Sequence, residues 1–259
     1  MKIISLAKSK EEKDYVAFFA KTLNLSVVDD SKTGEKGEGF DNGDLFLLFD
    51  GDGVALSDGK QSLKGDFSRL LPRLKENNLR GEVLFKAARF KDKESNAMTV
   101  VDGTAGLGED SFLLAASGYN VTLIERNPIV SLLLSDALRR GLKDEKTAPV
   151  CARMKLIEGD SEKILPELAF SPDIVLLDPM FPERRKSSLV KKKLQLIQRL
   201  EHPCTDEKAL LEAAKRAKPK KIVVKRPSKG DYLAHEKPTY SVGQGGIRYD
   251  CYVSGDNPS

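Results

Sequence analysis

Short apolar runs alternate with amphipathic stretches from residue 98 onward. Five runs are rich in branched residues, as expected for strands of a buried parallel sheet. These predicted strands are Thr99–Val101, Val121–Ile124, Lys155–Ile157, Ile174–Leu177 and Ile222–Val224. Helical spacing lies between them at Asp110–Ser117, Ile129–Arg140, Ser161–Leu168 and in a polar stretch that ends near Lys218. Such alternation predicts an α/β fold, with a parallel sheet covered by helices.

The first ninety residues have a different pattern and predict a separate small α+β unit. The predicted elements are a strand at Met1–Ala7, a helix at Glu11–Leu25, a loop at Asp29–Gly43, a hairpin of Asp44–Asp50 and Val54–Ser57, and a helix at Glu82–Phe90. A second hairpin is predicted near the end of the chain, at Thr239–Val242 and Ile247–Val253. We therefore expect two domains, residues 1–90 and residues 91–259.

Composition narrows the class of protein. About 40% of the 259 residues are hydrophobic and 32% are charged, which is typical of a globular chain. No apolar run reaches the ~18 residues of a membrane-spanning helix, and the apolar start is too short for a signal peptide, so we expect a cytoplasmic protein. The three cysteines and two histidines are far apart, which favours reduced thiols and no metal site.

The net charge is +4, but the charged residues are unevenly distributed along the chain. Between Glu183 and Arg226 there are 15 Lys or Arg residues against 5 Asp or Glu residues, so the rest of the chain is acidic. A basic stretch on an acidic body indicates a polyanionic partner, although charge alone is also compatible with a solvated helix face.

A glycine-rich turn follows the first strand of the predicted α/β domain, within Asp102–Asp110. Glycines such as Gly106 and Gly108 let the backbone pass close to a ligand. Their spacing from Gly103 is G-x-x-G-x-G, which differs from the G-x-G-x-x-G of dinucleotide-binding folds. Asp102 would attract a cationic sulfonium and repel a pyrophosphate. The turn thus favours S-adenosylmethionine over a nicotinamide cofactor.

Acidic residues recur at the next strand ends. Glu125 closes the second strand and is placed to accept ribose hydroxyls, as an acid does in dinucleotide-binding folds. Asp160 and Ser161 follow the third strand, where they can receive an adenine amino group. A single acid in such a place is often only a helix cap, but three at successive strand ends indicate a common cofactor site.

The fourth strand ends in Asp178-Pro179-Met180-Phe181-Pro182. This sequence resembles the D/N-P-P-Y/F motif of methyltransferases that act on amines of nucleic acids. Asp178 and the carbonyl of Pro179 would accept the two N–H bonds of an exocyclic amine and direct its lone pair at the methyl group. Phe181 would stack on a base drawn out of its helix. The alternative is a rigid turn without chemistry.

Basic residues follow this motif directly and recur at the end of the fifth strand. We expect them to contact RNA phosphates. The candidates are Arg184, Arg185, Lys186, Lys191, Lys192, Lys193, Lys225 and Arg226.

Together these segments resemble one family, the bacterial guanine-N2 methyltransferases of the ribosomal RNA small subunit methyltransferase J type. The resemblance covers about residues 80–252. It depends most on Glu125-Arg126-Asn127-Pro128 and on Asp178-Pro179-Met180-Phe181-Pro182 with the basic residues after it. It implies a seven-stranded Rossmann-like domain and methylation of a guanine in small-subunit RNA. The cofactor contacts that it implies are Glu109, Asp110, Glu125, Arg126, Asp160, Ser161 and Asp178.

Two other functions stay open at this point. An enzyme of the same fold would methylate adenine or a protein amine instead. A non-catalytic RNA-binding module would keep the fold without the reaction, although the acids at positions 102, 125 and 178 argue against it. The expected partner is small-subunit ribosomal RNA, either free or within the small ribosomal subunit.

Overall fold

The computed structural model describes residues 1–29, 44–90, 98–179, 196–197, 199–200 and 206–254. It contains two sheets, one of five strands from the first part of the chain and one of seven strands from the second part. The predicted α/β fold with a seven-stranded sheet is confirmed. In the described residues no helix combines the length and the apolar character needed to cross a membrane.

The large sheet carries the predicted parallel strands and the closing hairpin. Its strands are β6 (Thr99–Asp102), β7 (Asn120–Glu125), β8 (Met154–Glu158), β9 (Ile174–Leu177), β10 (Lys221–Pro227), β11 (Tyr240–Gln244) and β12 (Ile247–Val253). Their order is β11-β12-β10-β9-β6-β7-β8. β10, β9, β6, β7 and β8 are parallel, whereas β12 is antiparallel to both β10 and β11. The chain order therefore reverses between β6 and β9, where an open α/β sheet forms its ligand crevice.

Helices pack on both faces of this sheet. They are α4 (Glu109–Ala116), α5 (Pro128–Gly141), α6 (Ala148–Cys151), α7 (Ser161–Ile164) and α8 (Glu207–Arg216), with short 3-10 helices at Leu165–Glu167 and Leu233–His235. α5 begins where the Asn127 side chain accepts hydrogen bonds from the backbone N–H groups of Ile129 and Val130. Pro128 suits the first helical position because its missing N–H has no helical partner there.

The small sheet has the order β2-β1-β3-β4-β5. Its elements are β1 (Lys2–Ser5), α1 (Lys10–Leu23), β2 (Val27–Asp29), β3 (Phe46–Asp50), β4 (Gly53–Ser57) and β5 (Ser62–Leu63). β3 and β4 form the predicted antiparallel hairpin. Most of the loop predicted at residues 29–43 lies outside the described residues, but Asp29 itself ends a strand that the pattern did not predict.

The small sheet packs against α5 through a buried polar contact. Asp136 is fully buried, accepts a hydrogen bond from the Val54 backbone N–H at 3.1 Å, and pairs with Arg139 and Arg140. Gly53 has a φ of +125°, and a Cβ there would lie 2.4 Å from the Asp136 carboxylate. Glycine is therefore required both by the backbone conformation and by the close approach of α5.

The segment between the two sheets packs on the large sheet. It comprises a 3-10 helix at Phe67–Leu74, α2 (Glu76–Gly81) and α3 (Val83–Ala88). The Phe67 ring stacks on Phe112 of α4 with centroids 4.7 Å apart, and Leu84 is buried in the same core. These residues thus help to cover the larger sheet, and the domain boundary near residue 90 stays a prediction.

Candidate functional site

The predicted acids lie at the carboxyl edge of the large sheet. Asp102 ends β6, Glu125 ends β7, and Asp178 directly follows β9. Since β6 and β9 are neighbours at the reversal of strand order, Asp102 and Asp178 flank the crevice that this topology creates. Asp160 follows β8 at the same edge.

The two predicted glycines of the turn have different roles. Gly106 has a φ of +54°, and a Cβ added there would meet nothing within 4 Å, so the turn is open on that side. Gly108 has a φ of +74°, and its Cβ would lie 2.7 Å from a methyl group of Leu134 and 3.2 Å from one of Leu123. Gly106 therefore leaves room for a ligand, whereas Gly108 allows α4 to pack closely on the sheet.

Asp102 is buried beneath the turn and holds its shape. One carboxylate oxygen accepts a hydrogen bond from the Ser111 hydroxyl at 2.6 Å, and the other accepts one from the Thr104 N–H at 3.1 Å. Burial raises the pKa of Asp102 to about 7, and the nearby carboxylates of Asp110 and Asp178 act in the same direction. Asp102 is thus held between its neutral and ionised forms near neutral pH.

Glu125 connects the glycine turn to the start of α5. Its carboxylate accepts hydrogen bonds from the backbone N–H groups of Gly106 and Asn127, both at 2.8 Å. Burial raises the pKa of Glu125, while these two hydrogen bonds lower it. Each carboxylate oxygen has two lone pairs, so Glu125 can accept further hydrogen bonds while it keeps both backbone contacts.

The residues after β8 also face the turn. Asp160 caps α7 by accepting a hydrogen bond from the Glu162 N–H at 3.0 Å, and the Ser161 hydroxyl donates to the carbonyl of Gly103. Two other predicted cofactor residues, Glu109 and Arg126, are exposed at the starts of α4 and α5. The structure thus brings all the predicted cofactor residues to one edge of the sheet.

Asp178 is held at the crevice by contacts to its backbone and to its side chain. Its N–H donates to the Thr104 hydroxyl, and its carboxylate oxygen Oδ2 lies 2.9 Å from Nζ of Lys225. The Asp178 side chain is 43% exposed, so the rest of the carboxylate is open to a ligand. Burial of its surroundings raises the pKa of Asp178, and the ammonium of Lys225 opposes this effect. Pro179, which follows it, is buried.

The two cations at the end of β10 point in opposite directions. Lys225 pairs with Asp110 at 2.8 Å as well as with Asp178. Arg226 is 5% exposed and pairs with Glu207 of α8 at 3.4 Å. The prediction that Arg226 contacts RNA conflicts with this placement, because a buried and ion-paired guanidinium is not presented to a phosphate. We correct its role to one in helix packing.

Several predicted residues lie outside the described part of the chain. Phe181 and the basic residues Arg184, Arg185, Lys186, Lys191, Lys192 and Lys193 belong to this group, so their roles stay predictions. The described residues contain no group of three or more His, Cys, Asp and Glu side chains that could hold a metal ion. Cys151 and Cys251 are buried free thiols, and burial raises the pKa of Cys151 to about 11.

Sequence reasoning missed four residues that shape the site. Thr104 and Ser111 hold Asp178 and Asp102, Asn127 supports Glu125, and Tyr249 is the cross-strand neighbour of Lys225. Thr104 and Asn127 lie inside motifs that the sequence had already singled out. Ser111 and Tyr249 had no such signal, because they reach the site only through the packing of α4 and the pairing of β12.

The donor set fits S-adenosylmethionine. The open side of Gly106 offers space beside the turn, Glu125 offers acceptors for hydroxyl groups, and Asp178 offers negative charge for a sulfonium. Pyrophosphate would meet carboxylates at the same place, so a dinucleotide fits less well.

Comparisons with known proteins agree with this geometry. Residues 41–254 match a family model described as "Putative SAM-dependent methyltransferase". Relatives named ribosomal RNA small subunit methyltransferase J include one from Thioalkalivibrio sulfidiphilus, 40% identical over 82% of this chain and 85% of that protein. Another, from Aeromonas salmonicida, is 45% identical over 67% of this chain and 70% of that protein.

A solved structure shows the same fold over the full length. The crystal structure of a SAM-dependent methyltransferase from Neisseria gonorrhoeae superposes with a TM-score of 0.74 at 30% identity, covering 100% of this chain and 98% of that one. S-adenosylmethionine is therefore the cofactor of this protein. The chain belongs to the ribosomal RNA small subunit methyltransferase J family.

Proposed function

We propose that the protein transfers a methyl group from S-adenosylmethionine to the exocyclic N2 of a guanine in small-subunit ribosomal RNA. The RNA and its subunit follow from the names of the relatives. The choice of an amine is supported by one observation above all. Asp178 follows the strand beside the crevice with a partly open carboxylate, and Pro179 comes next. A ribosomal substrate also favours action in the cytoplasm.

The residues that would hold the cofactor are those at the carboxyl edge. Glu125 would accept the ribose hydroxyls, and Asp160 with Ser161 would lie at the adenine. Asp102, whose oxygens already bind Ser111 and Thr104, would act by shaping the turn. When bound, the cofactor supplies an electrophilic methyl group attached to a sulfonium sulfur, and this sulfur becomes a neutral thioether once the methyl group is transferred.

The remaining chemistry belongs to the chain's own residues. A guanine amine is a poor nucleophile because its lone pair is delocalised into the ring. Hydrogen bonds from its two N–H groups to Asp178 and to the Pro179 carbonyl would localise that lone pair and orient it. The nitrogen loses one proton once it is methylated, and Asp178 can pass this proton to water. Alignment thus supplies most of the rate.

The basic segment after Asp178 would bind the RNA backbone. We propose that Arg184, Arg185, Lys186 and Lys191, Lys192 and Lys193 neutralise phosphates, while Phe181 stacks on the target base. Phosphate contacts give affinity but carry no sequence information. The target guanine would then be selected by its fit beside Asp178 and by the shape of the RNA.

The test is methyl transfer from labelled S-adenosylmethionine to small subunits from a strain that lacks the modification, followed by nucleoside analysis. We expect label on N2 of guanine. Asp178→Asn should lower the rate by about 10²-fold or more, because it loses the charged acceptor, while calorimetry shows only a modest loss of cofactor affinity. Asp14→Asn, at an exposed position on α1, is the matched control.

Three results would overturn the proposal. Label on adenine or on a ribosomal protein would change the substrate. Full turnover by Asp178→Asn would remove Asp178 from the mechanism. Failure of the wild-type protein to bind S-adenosylmethionine would leave only an RNA-binding module.

A further inference from the structure

Lys225 lies inside the site, although its position at a strand end first suggested a phosphate contact. Its Nζ is 2.8 Å from Oδ2 of Asp110 and 2.9 Å from Oδ2 of Asp178, and its side chain is 25% exposed. We propose that Lys225 is a positioning residue that fixes the Asp178 carboxylate in its ionised form for the substrate amine. This inference rests on the proposed methyl transfer to an amine.

Several carboxylates surround the pair of Lys225 and Asp178, and the Lys225 ammonium balances part of their negative charge. Asp110 approaches from α4, Asp178 from the end of β9 and Asp102 from β6. The other titratable groups that face the pair are Tyr249 from β12 and Arg73 from the 3-10 helix at Phe67–Leu74. Arg226, on the opposite side of β10, acts on Asp178 through its charge. If Lys225 were absent, Asp110 and Asp178 would face each other without the ammonium that now lies between them.

The same geometry argues against a phosphate contact. Two of the three donors of the ammonium already point to carboxylates. A phosphate that approached Nζ would meet the negative charge of Asp110 and Asp178. Although burial opposes its charge, these carboxylates raise the pKa of Lys225, so it stays cationic across the physiological range.

The ion pair with Lys225 also leaves one carboxylate oxygen of Asp178 available to the substrate. Lys225 contacts Oδ2, the Thr104 hydroxyl holds the Asp178 backbone, and among the described residues no hydrogen bond or ion pair is made to Oδ1. Oδ1 is therefore the acceptor that an amine can reach. Because the acceptor must be ionised, activity should rise with pH as Asp178 loses its proton.

Removing the charge of Lys225 and removing that of Asp110 should shift the pKa of Asp178 in opposite directions. Lys225→Met removes the group that lowers the pKa of Asp178, so the acid limb of kcat should move to higher pH. Asp110→Asn removes a group that raises the same pKa, so the limb should move to lower pH. A merely structural role for Lys225 would not produce opposite shifts.

The experiment measures kcat against pH at saturating cofactor and RNA for wild type, Lys225→Met, Lys225→Arg and Asp110→Asn. Lys225→Met should lower kcat near neutral pH by about 10–100-fold, which corresponds to one lost charge-assisted hydrogen bond. Lys225→Arg should restore most of it. The control is Lys229→Met, at an exposed position beyond β10.

A parallel measurement of RNA binding against salt identifies the rival role. If Lys225 contacts a phosphate, Lys225→Met will reduce the salt slope by about 0.7–0.9 and leave the acid limb in place, which would overturn the proposal. We expect an unchanged slope and a displaced limb.

Carbon-detected NMR of the Asp178 carboxyl separates this inference from the proposed function and needs no turnover. Its midpoint, assigned with Asp178→Asn, should rise in Lys225→Met, and an unmoved midpoint would refute the role of Lys225 even in an active enzyme. A wild-type protein that is folded and binds cofactor but methylates no RNA amine would refute the proposed function, and the role of Lys225 with it, whatever the midpoint does.

Discussion

Two lysines on β10 show how the ends of one strand differ. Lys221 and Lys225 are four residues apart and therefore point to the same side of the sheet. Lys221, at the amino end, is 3% exposed and donates to the carbonyls of Ala87, in the last turn of α3, and of Arg89, just after it. Its ammonium also lies 4.3 Å from the centre of the Phe90 ring. This end of the strand uses a cation to complete a helix terminus.

Lys225, at the carboxyl end, is surrounded by acids instead of carbonyls. Burial lowers the pKa of Lys221, whereas the two carboxylates raise that of Lys225. The carboxyl edge gathers charged groups that would be unfavourable in a purely structural core. At the amino edge, the buried Lys221 donates to neutral carbonyls. The same residue type thus has a structural role at the amino end of the strand and lies in the candidate active site at the carboxyl end.

At a single pH, the largest effect on stability should come from replacing Lys221. Lys221→Met leaves the Ala87 and Arg89 carbonyls without their donor, and we expect the free energy of unfolding to fall by about 2–3 kcal/mol. Methyl transfer per folded molecule should stay unchanged. Urea denaturation and activity assays on the same samples measure both quantities.

Lys237→Met, at an exposed position, is the control and should change stability by no more than about 0.5 kcal/mol. An active-site defect in Lys221→Met, or a stability equal to that of wild type, would contradict the division between the two ends.

Asp102→Asn should show that the ionised carboxylate of Asp102 lowers the free energy of unfolding. The folded pKa of Asp102 is about 7, above its unfolded value, so the folded state binds the extra proton. The resulting stability is fully present below about pH 4 and is lost as pH rises through 7. Compared with Asp102→Asn, wild type should therefore lose on the order of 3 kcal/mol between pH 4 and 7. Denaturation of both proteins across this range measures the difference, and parallel curves would show that Asp102 titrates normally.

Arg226→Met should have the smallest effect on RNA binding. Since Arg226 points toward α8 and pairs with Glu207, its removal should lower stability without changing the salt slope of RNA affinity. In contrast, changing Lys191, Lys192 and Lys193 together to Ala should flatten that slope. Filter binding at several salt concentrations compares the two variants. A slope reduced by about 0.7–0.9 in Arg226→Met, the contribution of one phosphate contact, would restore the original assignment of Arg226.

The contrast between Lys225 and Arg226 also shows what the sequence could and could not predict. Both were assigned to the RNA-facing rim because they follow a strand. Adjacent strand residues point to opposite faces, so at most one of them could lie beside α4 and the crevice. Which one does so depends on register with β12 and on Asp110, 115 residues away in the chain.

The fold was predictable where periodicity extends over several residues. β9 begins and ends where the apolar run does, and the acids at strand ends lie where the alternation placed them. β2 and β5 have only three and two residues, too few for a pattern. The helix predicted at Ser161–Leu168 becomes a short α-helix and a 3-10 turn, because Pro166 lacks an N–H and its ring disfavours a continuous helix.

Calorimetric titration with S-adenosylmethionine tests whether the acidic carboxyl edge of the large sheet binds the cofactor. Glu125→Gln should bind about 10–100-fold more weakly than wild type, because it loses a charged acceptor for hydroxyl groups. Lys221→Met, altered at the opposite end of the sheet, should bind as wild type does. Equal affinity of Glu125→Gln and wild type, with both proteins folded, would show that the cofactor does not bind at this edge.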